Sequence, residues 1–193
     1  MNPRDFWKYL ALAAVLWLGA GILAPHAGRG SVARQELLYY PSGKLVREAA
    51  LGYTQAAAAL TWLRTVQYYG EHFRGDKQFE MMGHLCDVVT DLDPRFLAPY
   101  TFGSYVMFTE SGRPDQSMAL LAKGRKANPR SWELHFESGF IHYLAWQDAA
   151  GAAGYFQEAA RLPGAPEYAG RFAAFVTAKA GEIPEGWYTS QTD

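Results

Sequence analysis

The sequence is nearly without cysteine. Cys86 stands alone among 193 residues, which excludes an internal disulfide framework and any zinc site made of several cysteines. One thiol leaves the compartment open, because proteins without disulfides live on both sides of a membrane. Net charge is also missing. Lys and Arg total 18 and Asp and Glu total 19, for a formal charge of −1. That balance excludes a strongly basic nucleic-acid binder and an acidic tail protein. Common catalytic signatures are absent: there is no HExxH, no GxSxG, no P-loop and no Gly-rich phosphate loop. The expectation is a chain that is not an enzyme, with no cofactor, no metal, no small-molecule substrate and no nucleic-acid partner. Apolar residues, in contrast, make up 49% of the chain and aromatics 15%. Disorder across the whole chain is excluded on that ground.

The run from Tyr9 to Ala24, YLALAAVLWLGAGILA, has no charge. Phe6 to Ala24 is 19 residues (24 − 6 + 1). At about 1.5 Å per residue this spans roughly 28 Å, close to a hydrocarbon core of about 30 Å. Residues 1–25 therefore read as a membrane anchor, with Trp7, Val15, Trp17 and Leu23 in or beside the span and Lys8 able to snorkel. A cleaved signal peptide is the rival reading, since Arg4 and Lys8 precede an apolar core. Its cleavage site is poor. Cleavage after Ala27 puts Pro25, and after Ala24 puts Ile22, where a small residue is needed. A buried core helix is a third reading, weakened by the linker that follows.

Arg4 and Lys8 before the span balance Arg29 and Arg34 after it, so the positive-inside count is a tie. A short tail ahead of a large domain favours a single-pass protein with its domain on the exported, periplasmic side. Residues 26–44 read as the linker, flexible at Gly28, Gly30 and Ser31 and ending in the Pro41-Ser42-Gly43 turn with Ser42 as a candidate N-cap. Residues 45–181 read as a helical domain and 182–193 as a tail.

Beyond residue 44 the apolar spacing is three and four, and no segment alternates with period two for long. Pro94 and Pro129 are 35 apart (129 − 94) and end the similar phrases VTDLDP and RKANP. A slide of 35 aligns Phe73, Phe108 and Tyr143. It also aligns Met82, Ser117 and Ala152; Cys86, Leu121 and Phe156; and Val89, Gly124 and Ala159. Trp62 and Trp132 lie two periods apart (132 − 62 = 70). A repeat of this length, built from two helices, predicts a helical solenoid. Lys44–Leu51 is expected as a short first helix stopped by Gly52, with Thr54 capping the next. Glu167–Ala180 is expected as a closing helix stopped by Gly181, with Tyr168, Phe172 and Phe175 over the last open face.

These positions resemble the tetratricopeptide repeat family. The third unit carries the pattern best, in HYLAWQDAAGAAGYFQEAARLPGAP, with Tyr143, Ala152, Phe156 and Ala159. The second matches through Phe108, Gly112, Ser117, Leu121, Gly124 and Pro129. The first matches through Gly70, Phe73 and Pro94, with Met82, Cys86 and Val89 where small residues and an aromatic are usual. The period is 35 against the family's roughly 34. The likeness covers about residues 60 to 166. GYTQAAAALTWLRTVQYYG also resembles the opening helix of membrane-anchored repeat proteins of bacterial envelopes. The implied fold is all-α: a helical-hairpin solenoid of about three repeats with capping helices, behind an N-terminal transmembrane helix.

The resemblance implies that the first helix of each unit lines a concave face that binds a partner protein. By register the inward residues are Arg64, Gln67 and Glu71, then Phe102, Val106 and Glu110, then Leu134, Glu137 and Ile141. The Lys and Asn of the family's carboxylate clamp are missing there. An apolar floor with Glu71, Glu110 and Glu137 suits an apolar segment bearing a cation. The alternative occupant is the chain's own Leu37–Tyr40. The implied function is a non-catalytic scaffold that supports assembly or stability of a membrane or envelope complex. The alternative is a secreted or periplasmic peptide-binding module.

Other groups carry less. His135 and His142, seven apart with Glu137 nearby, suggest a metal site but lack the third and fourth ligand a metal needs. Cys86 falls on the inter-repeat core, where a small buried hydrophobe is expected. Asp87 and Asp91 share a helix edge expected to be solvated. Lys123, Arg125, Lys126 and Arg130 complement a helix C-terminus, with a solvated face expected and an anionic surface as the alternative.

Overall fold

The computed structural model describes residues 41–182. Among the described residues there are eight α-helices and no strand: α1 (Gly43–Ala49), α2 (Thr54–Arg74), α3 (Met82–Leu92), α4 (Ala98–Thr109), α5 (Pro114–Ala127), α6 (Trp132–Ala145), α7 (Ala149–Arg161) and α8 (Glu167–Glu182). The chain is all-α over this range. The proposed anchor, including Trp7, Val15, Trp17 and Leu23, lies outside the described residues, as do most of the linker and the tail. Among the described residues no helix is long and apolar enough to cross a membrane.

Most helices pack mainly on their neighbours in sequence: α2 on α3, α4 on α5, α6 on α7, and α8 on α7; α1 packs mainly on α3. Local chemistry marks the boundaries. Pro99 and Pro114 sit in the first turns of α4 and α5, where a missing N–H costs no helix bond. Asp148 caps α7 by accepting a hydrogen bond from Gly151 N at 2.8 Å. Gly112 takes φ +61° between α4 and α5, a conformation that side chains disfavour.

Some boundaries differ from expectation. The helical domain begins at Gly43 rather than residue 45. Ser42 stands at the N-cap, where its carbonyl accepts from Val46 N at 3.1 Å while its side chain makes no cap bond. Thr54 is the first residue of α2, and Tyr53 is the N-cap. The last helix runs past Gly181 to Glu182.

The seam of α3, α5 and α7 carries the repeat. Met82, Ser117 and Ala152 are buried, as are Cys86, Leu121 and Phe156, and Val89, Gly124 and Ala159. One position in each set meets the adjoining helices, so size there is constrained from several sides. A Cβ on Gly124 would lie 2.8 Å from the Tyr100 ring, closer than atoms pack, so this position admits no side chain without a shift. The hydroxyls of buried Thr61 and Thr65 donate to carbonyls one turn back at 2.8 Å. Ser117 Oγ crosses to Ser104 O at 2.8 Å.

The two tryptophans do the same work two units apart. The Trp62 ring meets Phe96 and Phe102 edge-on at 5.6 and 5.7 Å. The Trp132 ring meets Tyr168 at 6.0 Å. Each closes its unit against the next. At the C-terminal end, the inward residues of α8 are Ala169, Ala173 and Val176. Tyr168 and Phe172 contact Phe136 edge-on at 5.5 Å. Phe175, expected to cover the last face, is 58% exposed because it lies on the opposite side of the helix from Ala173.

Candidate functional site

The face formed by α2, α4 and α6 is the candidate, because these helices turn the side opposite their partners outward. The face is built by register. Three rows recur every 35 residues: Gln67, Phe102 and Glu137; Gly70, Tyr105 and Phe140; Arg74, Thr109 and Leu144. Tyr105 is 53% exposed, Phe140 36% and Leu144 47%. At Gly70 nothing lies within 4 Å of an added Cβ, so the second row is bare in the first unit and aromatic in the next two. Sequence reasoning missed Tyr105, Phe140 and Leu144. The signal was available, since Tyr105 and Phe140 share the repeat spacing.

Of the residues expected on this face, three are elsewhere. Val106 and Leu134 are fully buried and Ile141 nearly so; they belong to the core and offer nothing to a partner. The reason is helical phase. Four residues advance the helix by about 400°, or 40° past a full turn, so the series Phe102, Val106, Glu110 drifts across the helix into the packed seam. Leu134 and Ile141, seven apart, share the inward row with buried Ser138. Glu137 sits beside that row.

The remaining six are accessible to different degrees. Gln67 and Glu71 are exposed and Arg64 is half-buried, its guanidinium 3.9 Å from Glu71. Phe102 is half-buried, its ring edge-on to Tyr69 at 5.0 Å and to Trp62. It joins α2 to α4 more than it faces outward. Glu110 ends α4 near Tyr69, whose phenol is pushed up first by burial and then by that carboxylate. Glu137 is half-buried, and burial holds its carboxyl above the usual range. Among the described residues neither Glu110 nor Glu137 makes an ion pair or a side-chain hydrogen bond. Leu37–Tyr40, the alternative occupant of this face, lies outside the described residues.

The other candidate groups have structural partners. Cys86 is fully buried, and burial pushes its thiol up to about 12, far from a reactive thiolate. Asp87 and Asp91, expected as a solvated edge, both hold Lys123, at 3.0 and 2.6 Å. Burial works against the Lys123 charge, yet the hydrogen bonds to Asp91 and Asp87 keep its pKa above the ordinary value. Arg125, expected on a solvated face, donates to the Ser138 hydroxyl and lies 4.9 Å over the Tyr155 ring. Lys123 and Arg125 thus tie α5 to α3, α6 and α7, whereas Lys126 and Arg130 are exposed, as expected.

His142 Nδ1 is 3.4 Å from Asp148, and its ring stands beside Trp146 and Tyr155. His135 lines a separate depression with Tyr155 and Glu158; burial and then Arg125 lower its pKa. Among the described residues no group of three His, Cys, Asp or Glu side chains is placed to hold a metal.

A second depression, about 520 Å³, lies at the inter-helix turns beside Arg95, Arg130 and Trp132. It is open to solvent and is lined by the first residues of α6 and by the turns before α4 and after α7. No family model matches the chain, no curated protein matches it, and no solved structure matches it.

Proposed function

We propose that the chain is a non-catalytic scaffold of tetratricopeptide-repeat type. In this reading α2–α3, α4–α5 and α6–α7 are three repeats of a helical-hairpin solenoid, closed by α1 and α8. One N-terminal span holds the protein in a membrane, with the helical domain on the exported side. The domain binds partner proteins and supports assembly or stability of a membrane or envelope complex.

One observation carries the reading: Tyr105 and Phe140, one repeat apart, are exposed on the same face beside exposed Leu144. Large side chains standing in register with part of their surface exposed, as Phe140 does beside Phe172 of α8, are the kind of anchor that dominates protein interfaces. Covering them recovers about 25 cal/mol for each Å² of apolar surface removed from water.

Photo-crosslinking in native membranes tests this. A photoreactive residue at position 105 or 140 is expected to join the same protein partner, and one at Lys126 is not. The adduct is expected to stay with membranes through a carbonate wash. Crosslinks from position 126 alone, or release of the protein by carbonate, would overturn the reading.

A further inference from the structure

Glu137 is a carboxylate in an awkward place. It lies on α6 one turn from Phe140 and two turns from Leu144, both exposed, and it adjoins the buried row of Leu134 and Ile141. It is half-buried, and among the described residues its side chain has neither ion pair nor hydrogen bond. Removing a carboxylate from water without a partner is unfavourable. A cation brought to it would gain the charge-assisted contact and relieve that cost. The rest of the face favours the same visitor. Among the described residues Glu110, at the end of α4, is also without a side-chain partner, whereas Glu71 is already matched by Arg64. Tyr105 and Phe140 present aromatic surface, on which a guanidinium packs well. The cations at register positions, Arg64 and Arg74, both belong to α2, and Arg64 is engaged by Glu71.

We infer that the partner segment is an apolar stretch interrupted by an arginine or lysine, whose cation docks on Glu137 while its flanking apolar side chains cover Tyr105, Phe140 and Leu144. The inference rests on the proposed scaffold function and deepens it by naming the chemistry of the partner. Apolar contacts supply most of the binding, and the carboxylate sets the register of the segment and its choice of residue. Glu137 is a specificity determinant here. Its replacement by Gln keeps the size of the side chain and removes the charge, so the fold is left intact.

A random peptide library displayed on phage, selected on the full chain in lipid nanodiscs, tests the inference. Wild-type protein is expected to enrich sequences with one Arg or Lys between apolar residues. A synthetic copy of an enriched peptide is expected to bind Glu137→Gln about tenfold or more weakly, the scale of one charge-assisted hydrogen bond. Citrulline in place of its arginine is expected to lose a similar factor on wild type and nothing further on Glu137→Gln. If enriched peptides lose affinity with Tyr105→Ala yet bind Glu137→Gln as they bind wild type, the inference falls and the face remains the binding site. If no peptide is enriched, or none responds to Tyr105→Ala, the inference and the peptide-binding face fall together.

Discussion

The seam of α3, α5 and α7 and the face of α2, α4 and α6 share one repeat and obey different rules. In the seam, every position of the three repeating sets is buried, whichever residue fills it. Met82 stands where Ser117 and Ala152 stand, and Cys86 where Leu121 and Phe156 stand. On the face, equivalent positions diverge in kind: Gln67, Phe102 and Glu137 occupy one row, and Gly70, Tyr105 and Phe140 another. A seam position is surrounded on several sides, so burial is imposed and chemistry adjusts by volume. A face position touches fewer neighbours, and its side chain is free to serve something outside the chain.

The largest expected effect sets the two regions directly against each other. Phe156 is fully buried among Ala149, Ala152 and Ala153 of α7 and Val176 of α8, with the Phe136 ring at 5.1 Å. Phe156→Ala is expected to cost about 3–5 kcal/mol, and Tyr105→Ala less than about 0.5 kcal/mol, both read from denaturant unfolding of the full chain. Equal costs would erase the distinction between seam and face.

A smaller effect tests how the seam helices are started. Asp148→Ala removes the cap on Gly151 N and is expected to cost about 1 kcal/mol. Ser131→Ala, at the start of α6, is expected to cost less. The Ser131 hydroxyl contacts Glu133 at 2.7 Å and caps no backbone N–H. Thermal melting of both variants checks the order.

The smallest effect belongs to the face and is a pH dependence. Glu137 has its carboxyl pKa raised by burial, so folding favours its protonated form. The stability it contributes is complete below the ordinary glutamate pKa and is lost as pH rises through the raised folded value. Glu137→Gln is expected to melt like wild type in acid and above it near neutrality, with the gap opening across that window. A gap independent of pH would mean that the carboxylate is not desolvated.

Much of the helical framework was legible beforehand, because Gly and Pro punctuate it and the 35-residue slide marks the seam. The closing helix was placed to within two residues, Glu167–Ala180 against Glu167–Glu182. The face was read less well. The register implied by the resemblance places Val106, Leu134 and Ile141 outward, and a drift of about 40° per four residues carries the first of them inward. In the basic run, Lys126 and Arg130 are exposed as expected. Lys123 and Arg125 read as solvated because their partners, Asp87, Asp91, Ser138 and Tyr155, come from other helices. Their approach depends on how helix pairs stack.

The sequence by itself determined that this region is helical, that it repeats, and which positions of α3, α5 and α7 turn inward. Periodicity and breaker residues are local properties, and they act before any tertiary contact forms. The tertiary structure alone decided which carboxylates found cations and which did not. Asp87 and Asp91 received Lys123 from α5, 36 and 32 residues on (123 − 87; 123 − 91), while Glu137 was set beside a buried row and has no ion pair among the described residues. Ion pairing and desolvation depend on distances between separate helices, and those distances exist only once the helices have packed.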